Sequence, residues 1–272
     1  MKASLRDATA LLELRSRDRA VRIEHRRIGA PDAAEPLIVF LHEGLGSLSL
    51  WKDFPDRLCA AARCRGLVYS RPGYGRSTPR AAQESWGVDF LQQQALEVLP
   101  ALLTALGVNA EHTPPWLFGH SDGASIALLY AAALPQAVAG AIVLAPHTHV
   151  EDVAVRSIAE ARAAYLHGGL REKLARHHDD PDSAFWGWND IWLDPAFRHW
   201  TIEQAIETLR CPLLAIQGLD DEYGTLAQIQ GIARRLPHTE LLELADCGHS
   251  AHRDQPEAVI AATTRFLQRH RR

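Results

Sequence analysis

Cysteine is scarce in this chain. Its four residues, Cys59, Cys64, Cys211 and Cys247, stand without metal-type spacing, which argues against a zinc centre or a disulfide framework. Cys59 and Cys64, five apart on an expected helix, read as buried thiols. Net charge is equally slight: a formal −4 over 272 residues offers nothing to attract nucleic acid or an anionic membrane surface. No stretch reaches the roughly 18 apolar residues of a transmembrane helix. Lys2, Arg6, Asp7 and Glu13 leave the N-terminus without the apolar run of a signal peptide. The expectation is a soluble, cytoplasmic protein whose partner is a small molecule, with oligomeric state left open.

What is present is apolar periodicity. Hydrophobic residues make up 47% of the sequence, enough for one large α/β domain with an insertion. Short apolar runs at 37–41, 67–69, 116–118, 141–144, 213–217 and 241–244 read as strands, with amphipathic stretches between them. The run 21–28 alternates and is partly polar, as an edge hairpin strand would be. Val88, Leu91, Ala95, Val98, Leu99, Leu102 and Leu106 mark one helical face stopped by Gly107, and Pro100 is expected to kink it. Asp254, with Glu257 three later, predicts the N-cap of a last helix whose apolar face holds Val259, Ile260, Phe266 and Leu267. Residues 1–20 carry only weak helical signals. The alternation predicts a mostly parallel, doubly wound α/β sheet.

Residues 119–123 read Gly-His-Ser-Asp-Gly. The apolar run before them and the helix-forming run after them place Ser121 on a tight strand-to-helix turn. Gly119 and Gly123 suit a point where two backbones cross closely. A serine so presented has a helix N-terminus behind it, which suits acyl transfer. Taken alone, the pentapeptide is equally a Gly/Ser-rich turn without chemistry, so its partners decide. A base and a carboxylate to orient it are required. Both stand downstream at strand ends, in Gly218-Leu219-Asp220-Asp221-Glu222 and in Asp246-Cys247-Gly248-His249. Cys247 is the weaker nucleophile candidate beside Ser121.

With these residues in view, the chain resembles the α/β-hydrolase superfamily, in its branch with a helical cap. The resemblance runs from about Ile38 to Leu267. It is carried by Leu41-His42-Glu43-Gly44-Leu45-Gly46-Ser47, Ser70-Arg71-Pro72-Gly73-Tyr74-Gly75-Arg76-Ser77, Gly119-His120-Ser121-Asp122-Gly123, Gly218-Leu219-Asp220-Asp221 and Gly248-His249. It implies the α/β-hydrolase fold and a triad of Ser121, Asp221 and His249. Asp221 is preferred to Asp220 because the acid in similar hydrolases lies three residues after the strand-end glycine; Asp220 then caps the turn. The resemblance also implies an oxyanion hole formed by the N–H groups of Gly44 and Asp122. His252 reads as a surface or supporting residue. Two positions depart from the pattern. Glu43 stands where a glycine often follows the loop histidine, and Ser70 where an aspartate often opens the Arg-x-Gly-x-Gly-x-Ser loop. Glu43 either binds a substrate amine or hydroxyl, or turns away and caps a helix.

Residues 147–209 break the alternation, with no convincing strand and much of the aromatic content. An insertion after the sixth sheet strand is where caps lie in similar hydrolases, so the expected division is a core of 1–146 and 210–272 and a helical cap of 147–209. Trp186, Trp188 and Trp192 in that segment, and Trp51 after the oxyanion loop, are candidates to line a substrate pocket. Packing of cap against sheet is their alternative use. His147, His149, His177 and His178 match no metal spacing, and serine hydrolysis needs no metal, so neither metal nor cofactor is expected.

The expected chemistry is hydrolysis of a small carboxylic ester or lactone through an acyl-enzyme on Ser121. The alternatives are a carbon–carbon bond hydrolase of aromatic degradation, a thioesterase, and a ligand receptor on the same fold. Haloalkane dehalogenases and epoxide hydrolases are disfavoured, because those similar enzymes use an aspartate nucleophile.

Overall fold

Eight strands form one sheet: β1 (Ala10–Ser16), β2 (Arg19–Ile28), β3 (Leu37–Leu41), β4 (Arg65–Tyr69), β5 (Trp116–His120), β6 (Gly140–Leu144), β7 (Leu213–Gly218) and β8 (Thr239–Leu244). The computed structural model describes residues 9–16, 19–31 and 33–271. Lys2, Arg6 and Asp7, on which the reading of the N-terminus leaned, lie outside them. The strand order is β1-β2-β4-β3-β5-β6-β7-β8. The β1–β2 and β2–β4 pairs are antiparallel and every other pair is parallel.

Each central strand is buried on both faces, which explains its unbroken apolar run. Successive side chains part to opposite sides with period two. Val39, Leu41, Leu117, Ala141, Val143 and Leu213 join one apolar cluster. Ile38, Phe40, Phe118, Ile142, Leu144 and Leu214 join the other. Helices α1 (Phe54–Ala62), α9 (Ala251–Asp254) and α10 (Pro256–His270) cover the second face. The first is covered by α2 (Phe90–Gln93), α3 (Leu99–Ala105), α4 (Asp122–Ala133) and α8 (Ala227–Arg235). Helix α4 is apolar all round because the sheet lies on one side of it and other helices on the rest.

Between β6 and β7 the chain leaves the sheet for α5 (Asp152–His167), α6 (Leu170–Leu174), α7 (Pro181–Leu193) and two 3₁₀ turns. Ala154, Ile158, Phe185, Trp188 and Trp192 belong to the same apolar cluster as Leu41 and Leu117. The inserted helices are therefore continuous with the core on that face. Among the described residues, no helix is long and apolar enough to cross a membrane.

Three local expectations change. Residues 10–16, with only weak helical signals, form the edge strand: Leu12 and Leu14 turn inward while Leu11, Glu13 and Arg15 face out. This moves β2 one place in from the edge. Ahead of Pro100 the chain opens into a π-helical turn, Gln94–Val98, before α3 resumes. Proline has no N–H to donate, and the wide turn absorbs the missing bond. Asp254 does not cap the last helix; α10 starts at Pro256 after Gln255, and Asp254 Oδ2 instead accepts the Gly248 N–H at 3.0 Å.

Candidate active site

Strand β5 ends at His120, α4 begins at Asp122, and the whole turn between them is Ser121. Its backbone sits at φ 54°, ψ −119°, a left-handed region that a side chain occupies at a cost of about 1–3 kcal/mol. The crossing is tight on both sides. A Cβ on Gly119 would fall 2.3 Å from the Gly123 carbonyl, and one on Gly123 would fall 2.0 Å from that of Leu41. Ser121 N–H donates to the Leu144 carbonyl at 2.9 Å, so β6 anchors the strained residue. The side chain is left at the N-terminus of α4, where backbone donors are unspent.

His249 stands on the loop after β8, and its Nδ1 meets Asp221 Oδ1 at 2.8 Å. Asp221 stands on the loop after β7. Its Oδ1 also accepts the Tyr223 N–H at 2.8 Å, while Oδ2 accepts from Gln217 Nε2 at 3.1 Å. Burial works against this carboxylate's charge, but the bond to His249 and that ring's charge hold its pKa below the ordinary value. Burial likewise opposes an imidazolium at His249, yet Asp221, with Glu222 and Glu43, holds its pKa above the ordinary value. The His249 backbone is fixed by Glu222 Oε2, which accepts its N–H at 3.1 Å. The ring lies 5.0 Å from that of His120, the neighbour of Ser121, with Tyr223 at 4.8 Å on another side.

The loop after β3 carries His42 to Ser47. His42 is fully buried, and burial together with Arg71 drives its pKa well down, so the ring is neutral. It donates from Nδ1 to the Glu43 carbonyl at 2.8 Å and accepts the Arg71 N–H at Nε2 at 3.0 Å. Arg71 Nη2 donates to the same carbonyl at 2.9 Å and lies 3.7 Å from Asp122 Oδ2. Burial pushes the Asp122 carboxyl up to about 6, against Arg71 and the Trp192 indole. This brace ties the loop after β3 to the Asp122 carboxylate at the start of α4. The Asp122 N–H belongs to the first turn of α4, which has no intrahelical acceptor.

The aromatic candidates divide. A Cβ built on Gly44 would fall 2.1 Å from Trp188 Nε1, so this indole rests on the loop after β3. Trp192 donates from Nε1 to Asp122 Oδ1 at 3.2 Å and meets the His147 ring at 4.9 Å. Trp186 packs on Tyr165 and Phe185 under Arg162, within the inserted helices. Trp51 is core, 2% exposed among Phe40, Phe54 and Phe118. Glu43 turns inward, to His120 and Arg253, rather than capping a helix. His252 is buried against Trp51 and His120 rather than on the surface.

The other histidines disperse. His147 lies between Trp192 and His249, with burial lowering it to about 3. His149 faces Glu203, His177 pairs with Ser49, and His178 bridges the Gly75 N–H and the Leu45 carbonyl. Among the described residues, no group of three or more His, Cys, Asp or Glu forms a metal-holding cluster. All four cysteines are free and buried, and burial raises the Cys247 thiol to about 11.

Sequence reasoning missed Arg71, Glu222 and Asp254 as organisers of the site. Each lies in or beside a quoted motif, which is the signal that was there to use. Ser70 finds its carboxylate elsewhere: its hydroxyl donates to Glu24 Oε2 of β2 at 2.7 Å, and the same oxygen accepts the Arg76 N–H. At the amino ends of the strands, opposite Ser121, Asp221 and His249, a cleft of about 1210 Å³ opens between residues that include Arg27, Arg65 and Arg210. It contains none of the residues that the sequence marks for chemistry.

Residues 38–262 match the model of the alpha/beta hydrolase family. The chain is 26% identical to the sn-1-specific diacylglycerol lipase ABHD11 of Mus musculus, over 87% of this chain and 82% of that one. It is 27% identical to a 2-succinyl-6-hydroxy-2,4-cyclohexadiene-1-carboxylate synthase of Klebsiella pneumoniae, over 85% and 94%. A thermophilic esterase from Thermogutta terrifontis superposes with a TM-score of 0.75 at 17% identity, covering 96% of this chain and 99% of that one.

Proposed function

Because this chain belongs to the alpha/beta hydrolase family, we propose that it is a serine hydrolase, cleaving a small carboxylic ester or lactone through an acyl-enzyme on Ser121. The observation that carries this reading is the 2.8 Å bond from His249 to Asp221, together with the strained φ 54° of Ser121 in the turn after β5. Ser121 Oγ attacks the carbonyl carbon while His249 takes its proton, and Asp221 keeps Nδ1–H in place and stabilises the imidazolium. The N–H groups of Gly44 and Asp122 receive the tetrahedral oxyanion. His249 then protonates the leaving alcohol, and water repeats the sequence to release the acid. Trp188 and Trp192, resting on Gly44 and Asp122, support a short apolar acyl pocket capped by residues 147–209.

A second reading is that the same residues act on a carbon–carbon bond beside a ketone. Turnover of p-nitrophenyl esters of increasing acyl length, with Ser121→Ala alongside, separates the two. Saturable hydrolysis best at short chains and abolished in Ser121→Ala is the expected result. No turnover above the variant would overturn the esterase reading and bring the second one forward.

A further inference from the structure

Glu43 occupies the oxyanion loop, but its carboxylate is spent away from the nucleophile. Oε1 accepts from Arg253 Nη2 at 3.2 Å, and Oε2 lies 3.5 Å from His120 Nδ1. Gly46 makes the room: a Cβ there would fall 2.4 Å from Oε2. Burial opposes the charge on Glu43, yet His120, Arg253 and His252 hold its carboxyl well below the ordinary carboxylate range.

His120 is fully buried, and its Nε2 lies 2.9 Å from the carbonyl oxygen of His249. A carbonyl only accepts, so Nε2 must carry the proton and donate it. That leaves Nδ1 facing Glu43 Oε2, and the carboxylate attracts the ring where Nδ1 carries a second proton, as an imidazolium paired with Glu43. The His252 ring meets that of His120 edge-on at 4.9 Å and packs against it. A continuous chain of contacts results. It runs from the oxyanion loop through a carboxylate and an imidazole to the main chain of the base.

We propose that Glu43 and His120 are positioning residues for the hydrolytic reaction: Glu43 orients the His120 ring, and His120, through the His249 carbonyl, holds the base in register with the oxyanion loop. This rests on the triad reading above. Both act through the main chain of His249. Their effect falls on the transition state, where a misplacement of about 1 Å costs on the order of 10² in rate.

The test uses four single variants of the full chain and one double variant with a p-nitrophenyl ester. His120→Phe keeps the ring volume without a donor, His120→Gln keeps a donor at similar reach, Glu43→Gln removes the charge, and Ser121→Ala is the control. His120→Phe is expected to lower kcat by about 10–100-fold with KM changed less than about twofold. His120→Gln is expected to recover most of that loss. Glu43→Gln should lower kcat by about tenfold and add little when combined with His120→Phe, because both act along one path.

The proposal falls if His120→Gln is no better than His120→Phe, if the two losses multiply in full, or if Glu43→Gln leaves kcat unchanged. Should His120→Phe fail to fold, Glu43→Gln and His120→Gln still decide it: the first must lose kcat and the second must largely keep it. Activity surviving in Ser121→Ala would sink the triad reading instead, a separate outcome.

Discussion

The two ends of the sheet use their charged groups in opposite ways. At the carboxyl ends of the strands, Glu43, Arg71, Asp122, Asp221 and His249 are buried or nearly so and are bound to one another or to each other's backbone. At the amino ends, arginines ring the open cleft and tie loops together through main-chain oxygens. Arg27 bonds the Leu106 carbonyl, Arg65 that of Glu35, and Arg210 those of Glu207 and Leu209. The large cleft therefore lies apart from the mutually buried groups that titrate, and a charge removed from water persists only where neighbours answer it.

The sharpest break of this contrast is at Asp221. Asp221→Asn keeps the shape but loses the charge behind His249, and kcat should fall by about 10⁴. Steady-state kinetics reads this directly, and an unchanged rate would leave the buried pair no more than a fold contact. Next comes pH. The base must be neutral to accept a proton, and His249 is held above its ordinary 6.5. The rate kcat/KM should thus fall about tenfold per pH unit on the acid side of a limb centred above that value. His42, His147 and His252 are all shifted downward and stay neutral there, so they add no second limb. A limb centred below 6.5 would contradict the Asp221–His249 pairing. The smallest effect belongs to the far cleft. Arg210→Ala should leave kcat/KM within about twofold and shift stability by no more than about 1 kcal/mol; a large loss of activity would join the cleft to the site.

Strand-end positions were legible because they obey local rules. Ser121 needs two glycines and a strand-to-helix turn, and Asp221 and His249 each follow an apolar run by a few residues. The direction of Glu43 was not legible. It depends on Arg253, remote in the chain, and on His120, whose ring is set by the His249 carbonyl. The tryptophans were legible only as a group. Periodicity places Trp186, Trp188 and Trp192 on one helix, but which indole meets Gly44 depends on how α7 is seated. Trp51 follows the loop in sequence yet packs with Phe40 and Phe118, because the 3₁₀ turn that holds it points into the second core. Asp254 satisfied the sequence rule for a cap, but the Gly248 N–H competed for its carboxylate and won.

Glu24 carries a consequence for where this molecule can be cut. Its carboxylate serves Ser70 and the Arg76 N–H in the loop that also holds Arg71, and its own N–H donates to Ser77 Oγ. Yet it sits on the hairpin that precedes Ile38, where the stretch shared with the family begins. A fragment trimmed to that stretch would retain Ser121, Asp221, His249, Gly44 and Asp122. It would still lack the acceptor that its own loop expects. The modular boundary of the family and the physical boundary of the site do not coincide, and the antiparallel hairpin is the piece that separates them.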